Sequence, residues 1–202
     1  AIQVGETLAK LGATVSFDAR PNFDPETGNI NYQLLLQSVM SAAMPPEEKE
    51  KIQKIVDQLD PSDFSSDAVN ARGVVISHAD WISTNFKREK LKIAWKEFFE
   101  EWDILICPQM ATPAFEHDHR NYNERTIKVN NQEQSYFQQI FWAGMIVNAY
   151  LPSTVFPTGP SKDGLPIGLQ AVSGAYQDYK TIEFTRLLAE EIGGFIAPPN
   201  YI

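Results

Sequence analysis

The sequence predicts an α/β chain in which helices cover a small sheet, and three observations carry that expectation. Apolar residues recur at helical spacing over several long stretches, short apolar runs interrupt them, and a connector rich in turn residues joins two of the runs. A chain of 202 residues with 43% hydrophobic and 21% charged residues suits one domain, or a large piece of one, with a sizeable core.

Ile2 to Leu11 reads as an amphipathic helix already in progress, with Gly12 placed as its C-cap, and Ala13 to Phe17 then has the composition of a short strand. The Pro, Asp, Asn and Gly of Arg20 to Asn29 predict a loop. Tyr32, Leu35, Leu36, Val39 and Met40 then fall at helical spacing and predict a helix from Ile30 to Ala43. Pro45 and Pro46 end it. Glu47 and Glu48 open a charged helix to Leu59, whose sparse apolar face places it at the periphery. Ser65, Ser66 and Asp67 start a longer helical region reaching Glu101, with Trp81, Trp95, Phe98 and Phe99 on its thick apolar side and a bend at Gly73.

Trp102 to Pro108 is a short apolar run closed by proline, which predicts a strand buried on both faces. A polar loop follows through Arg125. Thr126 to Val129 and Gln134 to Phe137 predict a hairpin across Asn130-Asn131, since asparagine tolerates the left-handed conformation of tight turns. Phe137 to Ala149 is apolar nearly all round, predicting a buried helix stopped by Leu151-Pro152. Ser153 to Pro157 and Pro166 to Ser173 predict two antiparallel strands joined through Gly159 to Gly164, and Thr181 to Ile192 a last helix ending at Gly193-Gly194. Gly168 and Leu169 are expected where another backbone packs closely.

Charge and composition exclude several functions. The 17 basic against 26 acidic residues give a net charge of −9 with no basic stripe, so nucleic acid is not an expected partner. The most apolar stretch, Phe141 to Leu151, is interrupted by Asn148 and is too short for the roughly 20 residues of a membrane span. Cys107 is the only cysteine, so no intrachain disulfide forms and a cytoplasmic location is the default. The start at Ala1, inside a helix and without a signal peptide, is read as an internal cut in a longer polypeptide.

Isolated reactive residues have bland readings. His117-Asp118-His119 offers three ligands in a polar loop with nothing to complete a tetrahedral site, so no metal is expected and no cofactor either. Cys107 sits in an apolar strand, where burial raises a thiol's pKa and lowers its reactivity. His78 and Asp80 lie two positions apart on a helix and do not face each other. Phe137, Phe141, Trp142 and Met145 fit either core packing or the wall of a substrate pocket.

Asn148-Ala149-Tyr150-Leu151-Pro152-Ser153-Thr154-Val155-Phe156-Pro157-Thr158-Gly159, followed by Asp163-Gly164-Leu165-Pro166-Ile167-Gly168-Leu169-Gln170, closely resembles the C-terminal blocks of the amidase signature family. Trp95 to Phe99 and Asp103 to Pro108, then Phe141-Trp142-Ala143-Gly144 and Gly194-Phe195, follow in the same order. The resemblance is stronger over residues 72–202 and looser over 1–71, all within one domain. It implies the C-terminal part of the amidase signature fold, a mixed sheet covered by helices. It also implies a serine hydrolase that cleaves carboxamides of small molecules through an acyl-enzyme.

In that family a lysine and two serines within a Gly/Ser-rich stretch lie earlier in the polypeptide. This chain's nearest runs, Ser62 to Ser66 and Ser173-Gly174, lack the glycines that bring backbone donors to an oxyanion. No catalytic residue is therefore assigned here, and the chain alone is expected to be inactive. By resemblance Gln109, Met110, Phe141 and Trp142 are the substrate-binding wall. Tyr150 departs from the family, which has a small residue before Leu-Pro, and is expected to narrow a pocket beside the helix end. Two other readings stand beside this one: a noncatalytic binding or scaffolding module that keeps the fold, and a subunit of an amidotransferase. Strands cut from their neighbours expose backbone groups and apolar surface, so the isolated chain is expected to form a homodimer or aggregate.

Overall fold

The computed structural model describes residues 1–197, apart from the side chain of Asn123. The last five residues of the stronger family match lie outside the described residues.

The chain opens with α1 (Ile2–Lys10), which ends as the sequence predicts: Gly12 adopts φ +95°, and the amides of Gly12 and Ala13 return to the carbonyls of Ala9 and Leu8. The strand expected over Ala13 to Phe17 does not form. Ser16 Oγ instead accepts from the amides of Asp18 and Ala19, and the Arg20 guanidinium donates to the carbonyls of Phe17 and Ala19. These local bonds replace a strand ladder, and the Phe17 ring folds back against Gly5 of α1.

The expected loop from Arg20 to Asn29 ends early, because α2 spans Pro25–Met40. Asp24 caps it by accepting from the Thr27 amide at 2.8 Å, and Pro25 supplies the fixed φ of a first helical residue. The peripheral helix α3 (Pro46–Val56) buries no residue. The long helical region divides into α4 (Ser66–Val74) and α5 (His78–Glu101), capped by the hydroxyls of Ser65 and Ser77. Gly73 marks a close approach as well as a break. A Cβ there would lie 2.7 Å from Gln37 Cβ and 3.0 Å from the Leu34 carbonyl oxygen of α2.

Strand β1 (Leu105–Pro108) is shorter than its apolar run, and only Cys107 is fully buried, so the strand is not covered on both faces along its length. It forms one edge of its sheet. Strands β2 (Thr126–Val129) and β3 (Gln132–Ser135) form a hairpin across the expected Asn130-Asn131 turn, with those residues at φ +50° and +64°, and the second arm begins two residues before the expected Gln134 because the turn holds only the two asparagines. Tyr136–Ile140 is a 3-10 turn rather than α-helix, and α6 runs over Phe141–Asn148. The expectation that this segment is buried all round fails at Val147, which is 57% exposed. Strands β4 (Ser153–Pro160) and β5 (Pro166–Val172) pair antiparallel, and α7 (Asp178–Ile192) closes the described chain.

The main sheet has the order β1-β5-β4, with β5 central and both pairings antiparallel. Helices on a sheet are thus the architecture, and no parallel pairing occurs among the described residues. Side chains alternate across β5. Leu169 and Ala171 face a cluster with Val4 of α1, Phe156 of β4 and Leu188 of α7. Val172 and Cys107 face another with Trp95 and Phe98 of α5, Ile146 of α6 and Ala149. Gly168 lies where backbones meet: a Cβ there would stand 3.1 Å from the Phe156 carbonyl oxygen.

A helical layer made of α2, α4, α5 and α6 carries α6 toward the sheet. Asn148 Nδ2 donates to Asn31 Oδ1 at 3.0 Å, and Asn31 Nδ2 donates to the Thr84 carbonyl at 2.8 Å, so buried amides tie α6 to α2 and α2 to α5. Gly144 packs directly against the Tyr32 ring, and a Cβ there would overlap ring atoms. Gly144→Ala is therefore expected to destabilise the chain by about 1–3 kcal/mol, the cost of overpacking, measured by urea denaturation. In a Tyr32→Ala background the same substitution should cost little, and an equal cost in both backgrounds would remove Tyr32 as the reason.

Candidate functional site

The four residues assigned to a substrate wall lie on two segments that the fold brings side by side. Gln109 and Met110 are half-buried where the chain leaves β1, and Phe141 and Trp142 are half-buried in the first turn of α6. The Phe141 and Trp142 rings meet edge to face with centroids 5.4 Å apart, and Trp142 also packs on the cluster around Trp95.

One side chain joins the two segments. Gln170 of β5 is 3% exposed, and its Nε2 donates to the Pro108 carbonyl at 2.9 Å and, at longer range, to the Trp142 carbonyl at 3.4 Å. Its Oε1 accepts from the Ser153 hydroxyl at 2.8 Å. The backbones of Pro108 and Trp142 are both held at one nitrogen. Sequence reasoning placed Gln170 in the strand without giving it a task. The signal was a carboxamide between Leu169 and Ala171 in a buried strand, where a polar group has to be bonded.

The other tempting residues have structural duties. Asp118 accepts from the Arg120 guanidinium at 3.1 and 2.7 Å, which holds its carboxyl down at about 2, and the rings of His117 and His119 stand 6.0 Å apart. Among the described residues no group of three or more His, Cys, Asp or Glu is arranged to hold a metal ion. The Asp80 carboxylate accepts from the hydroxyl of Ser77, the residue that caps α5, so its hydrogen bond serves the helix start and not His78. Ser173 is fully buried and donates to the Gln177 carbonyl at 3.0 Å. No hydrogen bond among the described residues joins a lysine amine to a serine hydroxyl, the contact a Ser-Lys mechanism requires.

Two open clefts lie elsewhere. One, of about 480 Å³, is lined by Glu26, Ser65 to Asp67, Gln134, Ser135 and Gln138, and the other, of about 340 Å³, by Phe115 to Arg120 and Thr126 to Lys128. Neither includes any of the four residues expected to form a wall.

Tyr150 ends α6 in a left-handed conformation, φ +58°. Its amide donates to the Val147 carbonyl and that of Leu151 to the Ile146 carbonyl, the bond pair of a helix stop that glycine ordinarily makes. The ring points to α5, with the Arg88 guanidinium 4.8 Å and the Lys92 amine 5.3 Å from its centroid.

Residues 3–182 match the Amidase family. The chain belongs to the amidase family. It is 33% identical over 96 residues to a glutamyl-tRNA(Gln) amidotransferase subunit from Chlamydia pneumoniae, covering 48% of this chain and 18% of that protein. It is 28% identical over 113 residues to the corresponding subunit from Alkaliphilus metalliredigens, covering 56% of this chain and 21% of that protein. Among solved structures, an amidase superimposes with a TM-score of 0.69 at 16% identity, over 95% of this chain and 41% of the other. A bacterial aryl acylamidase of the amidase signature family gives 0.66 at 17% identity, over 95% and 39%. The same amidotransferase subunit from Thermotoga maritima gives 0.66 at 18% identity, over 98% and 40%. The chain thus spans about a fifth of the length of these curated relatives and about two fifths of these structures. Within the amidase family, the α6 stop, the β4–β5 hairpin and the β1 exit are the segments that carried the resemblance in sequence.

Cys107 gives the site a measurable label. Burial pushes its thiol from an ordinary 9.0 up to about 12, an effect the polar Gln170 amide beside it partly opposes. An acid whose pKa is raised in the folded state stabilises the fold fully below its unfolded pKa and loses that contribution as pH rises toward the folded value. Stability is therefore expected to fall between about pH 9 and 12, and Cys107→Ala should flatten that part of the profile. An identical alkaline slope in the variant, measured by chemical denaturation at each pH, would assign the loss to other groups.

Proposed function

We propose that the protein containing this chain hydrolyses small carboxamides to a carboxylic acid and ammonia or an amine. The family match over residues 3–182 is the observation that carries this reading. In it a lysine and two serines outside residues 1–202 form and break an acyl-enzyme, and this chain supplies sheet, helical layer and one apolar wall. Gln109, Met110, Phe141 and Trp142 form that wall. Such a wall suits an amide's apolar substituent, because ligand sites are mostly apolar with few orienting polar groups. The chain by itself is inactive on this reading, since no lysine amine and serine hydroxyl are joined among its described residues.

The curated relatives quoted above are amidotransferase subunits, and that favours a second reading in which the protein acts on an amide within a larger assembly. A cytoplasmic location accompanies either reading. No helix among the described residues is long and apolar enough to cross a membrane. Ammonia release from aliphatic and aromatic amides should appear with the natural polypeptide and be absent with residues 1–202 alone. Turnover by the short form would remove the assignment of catalytic groups. Activity that appears only with co-purified subunits, and on glutamine, would favour the amidotransferase.

The two edges of the main sheet, β1 and β4, are open to further pairing in the isolated chain. We expect residues 1–202 alone to dimerise or aggregate, and light scattering that reports a monomer at high concentration would contradict this.

A further inference from the structure

We propose that Gln170 is a positioning residue whose single amide sets the distance between the two halves of the substrate wall. The kinetic part of this inference rests on the amide-hydrolysing reading above, and the structural part does not.

A carboxamide buried in a central strand is unfavourable unless its donors and acceptor are bonded, and an apolar side chain of equal volume would fill the same space without that demand. Gln170 meets the demand with bonds to three separate elements. Both Nε2 hydrogens are committed, one to the Pro108 carbonyl at 2.9 Å and the other toward the Trp142 carbonyl at 3.4 Å, while Oε1 is held by the Ser153 hydroxyl at 2.8 Å. The amide is planar, so its two N–H vectors diverge at a fixed angle, and two carbonyls bonded to them are fixed relative to each other.

Those carbonyls are placed where they matter. Pro108 is the last residue of β1 and immediately precedes Gln109 and Met110. The Trp142 carbonyl lies in the first turn of α6, beside Phe141. Across the β1–β5 register Gln170 stands opposite Cys107, and across β5–β4 it stands opposite Val155, so the amide acts from the middle of the sheet. Ser153 anchors the acceptor end and keeps the amide from flipping. Its hydroxyl holds the oxygen, which leaves the nitrogen to face the two carbonyls.

The test uses the natural polypeptide that contains this chain, with Gln170→Met, Gln170→Glu and Ser153→Ala. Methionine keeps length and volume without bonds, glutamate keeps the acceptor and loses the NH2, and alanine at 153 removes only the anchor. In both Gln170 variants hydrogen exchange at Gln109 to Thr112 and in the first turn of α6 should accelerate by about tenfold. Exchange at Phe156 and Leu169, whose side chains face the opposite cluster, should stay unchanged. KM for the amide should rise about tenfold while kcat changes by less than about twofold, the pattern of lost binding geometry. Unchanged exchange at Gln109 to Thr112, or an equal acceleration at Phe156 and Leu169, would reduce Gln170 to general sheet stability and overturn the proposal. So would a fall in kcat with KM unchanged. Should the Gln170 variants not fold, Ser153→Ala decides by the same exchange pattern with a smaller acceleration. If the unmodified protein hydrolyses no amide, the proposed function fails, while the exchange pattern still upholds or overturns the positioning role.

Discussion

Strand β5 has to satisfy two neighbouring strands along its edges and two apolar clusters on its faces, and that double demand organises the chain. Leu169 and Ala171 meet the side built from α1 and α7, while Val172 meets the side built from α5 and α6. Shifting the strand by one residue would exchange the two sets, placing Gln170 among leucines and Leu169 against the Pro108 and Trp142 carbonyls. The register is therefore fixed twice, once by apolar burial and once by the one amide that finds partners on only one side. Gly168 adds a third constraint, because its missing Cβ allows the Phe156 carbonyl to approach.

The same logic explains how α6 is held. Its apolar composition alone would let it slide along the cluster of Trp95, Phe98 and Val172, since apolar contact is not directional. Polar bonds supply the direction. Asn148 fixes its far end to Asn31 of α2, and Gln170 reaches the carbonyl of Trp142 in its first turn. The stop that follows is made with a tyrosine where glycine would be free of strain, at roughly 1 kcal/mol of backbone cost. Arg88 and Lys92 over the Tyr150 ring contribute a comparable amount at a site 59% exposed. The bulky residue is thus accommodated against α5.

Much of this was legible because the decisive signals are local. The Asn130-Asn131 turn, the Leu151-Pro152 stop and the Gly159 to Gly164 connector each dictate backbone conformation within a few residues. Composition misleads where the deciding partners lie elsewhere or where one residue type serves two purposes. Ala13 to Phe17 has strand-forming residues but no strand beside it among the described residues, and the Ser16 and Arg20 bonds took the backbone instead. Arg20 to Asn29 looks like loop by its Pro, Asp and Asn, yet Asp24 and Pro25 are also how a helix begins, and α2 starts there. Tyr136 to Ile140 kept helical spacing but tightened into a 3-10 turn after the hairpin. For the proposed wall, resemblance supplied the four residues and the fold brings their two segments together. The amide that joins their two segments was hidden because its partners are backbone carbonyls 62 and 28 residues away, which no spacing rule reports.

The division between apolar burial and polar direction also separates stability from precision in this chain. Burial of Trp95, Ile146, Val172 and their neighbours contributes about 1.5–3 kcal/mol for each large side chain, far more than any one of these hydrogen bonds. Those contacts decide that the helices and sheet come together. They do not decide the relation of Met110 to Trp142, because close variants of the same packing bury nearly the same area. A bonded amide contributes only about 1 kcal/mol, but leaving a buried partner unmatched costs about 1–3 kcal/mol, so small displacements at Gln170 are penalised where burial is indifferent. The relation of the β1 exit to the first turn of α6 is accordingly held by the weakest class of interaction, and it is more sensitive to that amide than the fold is.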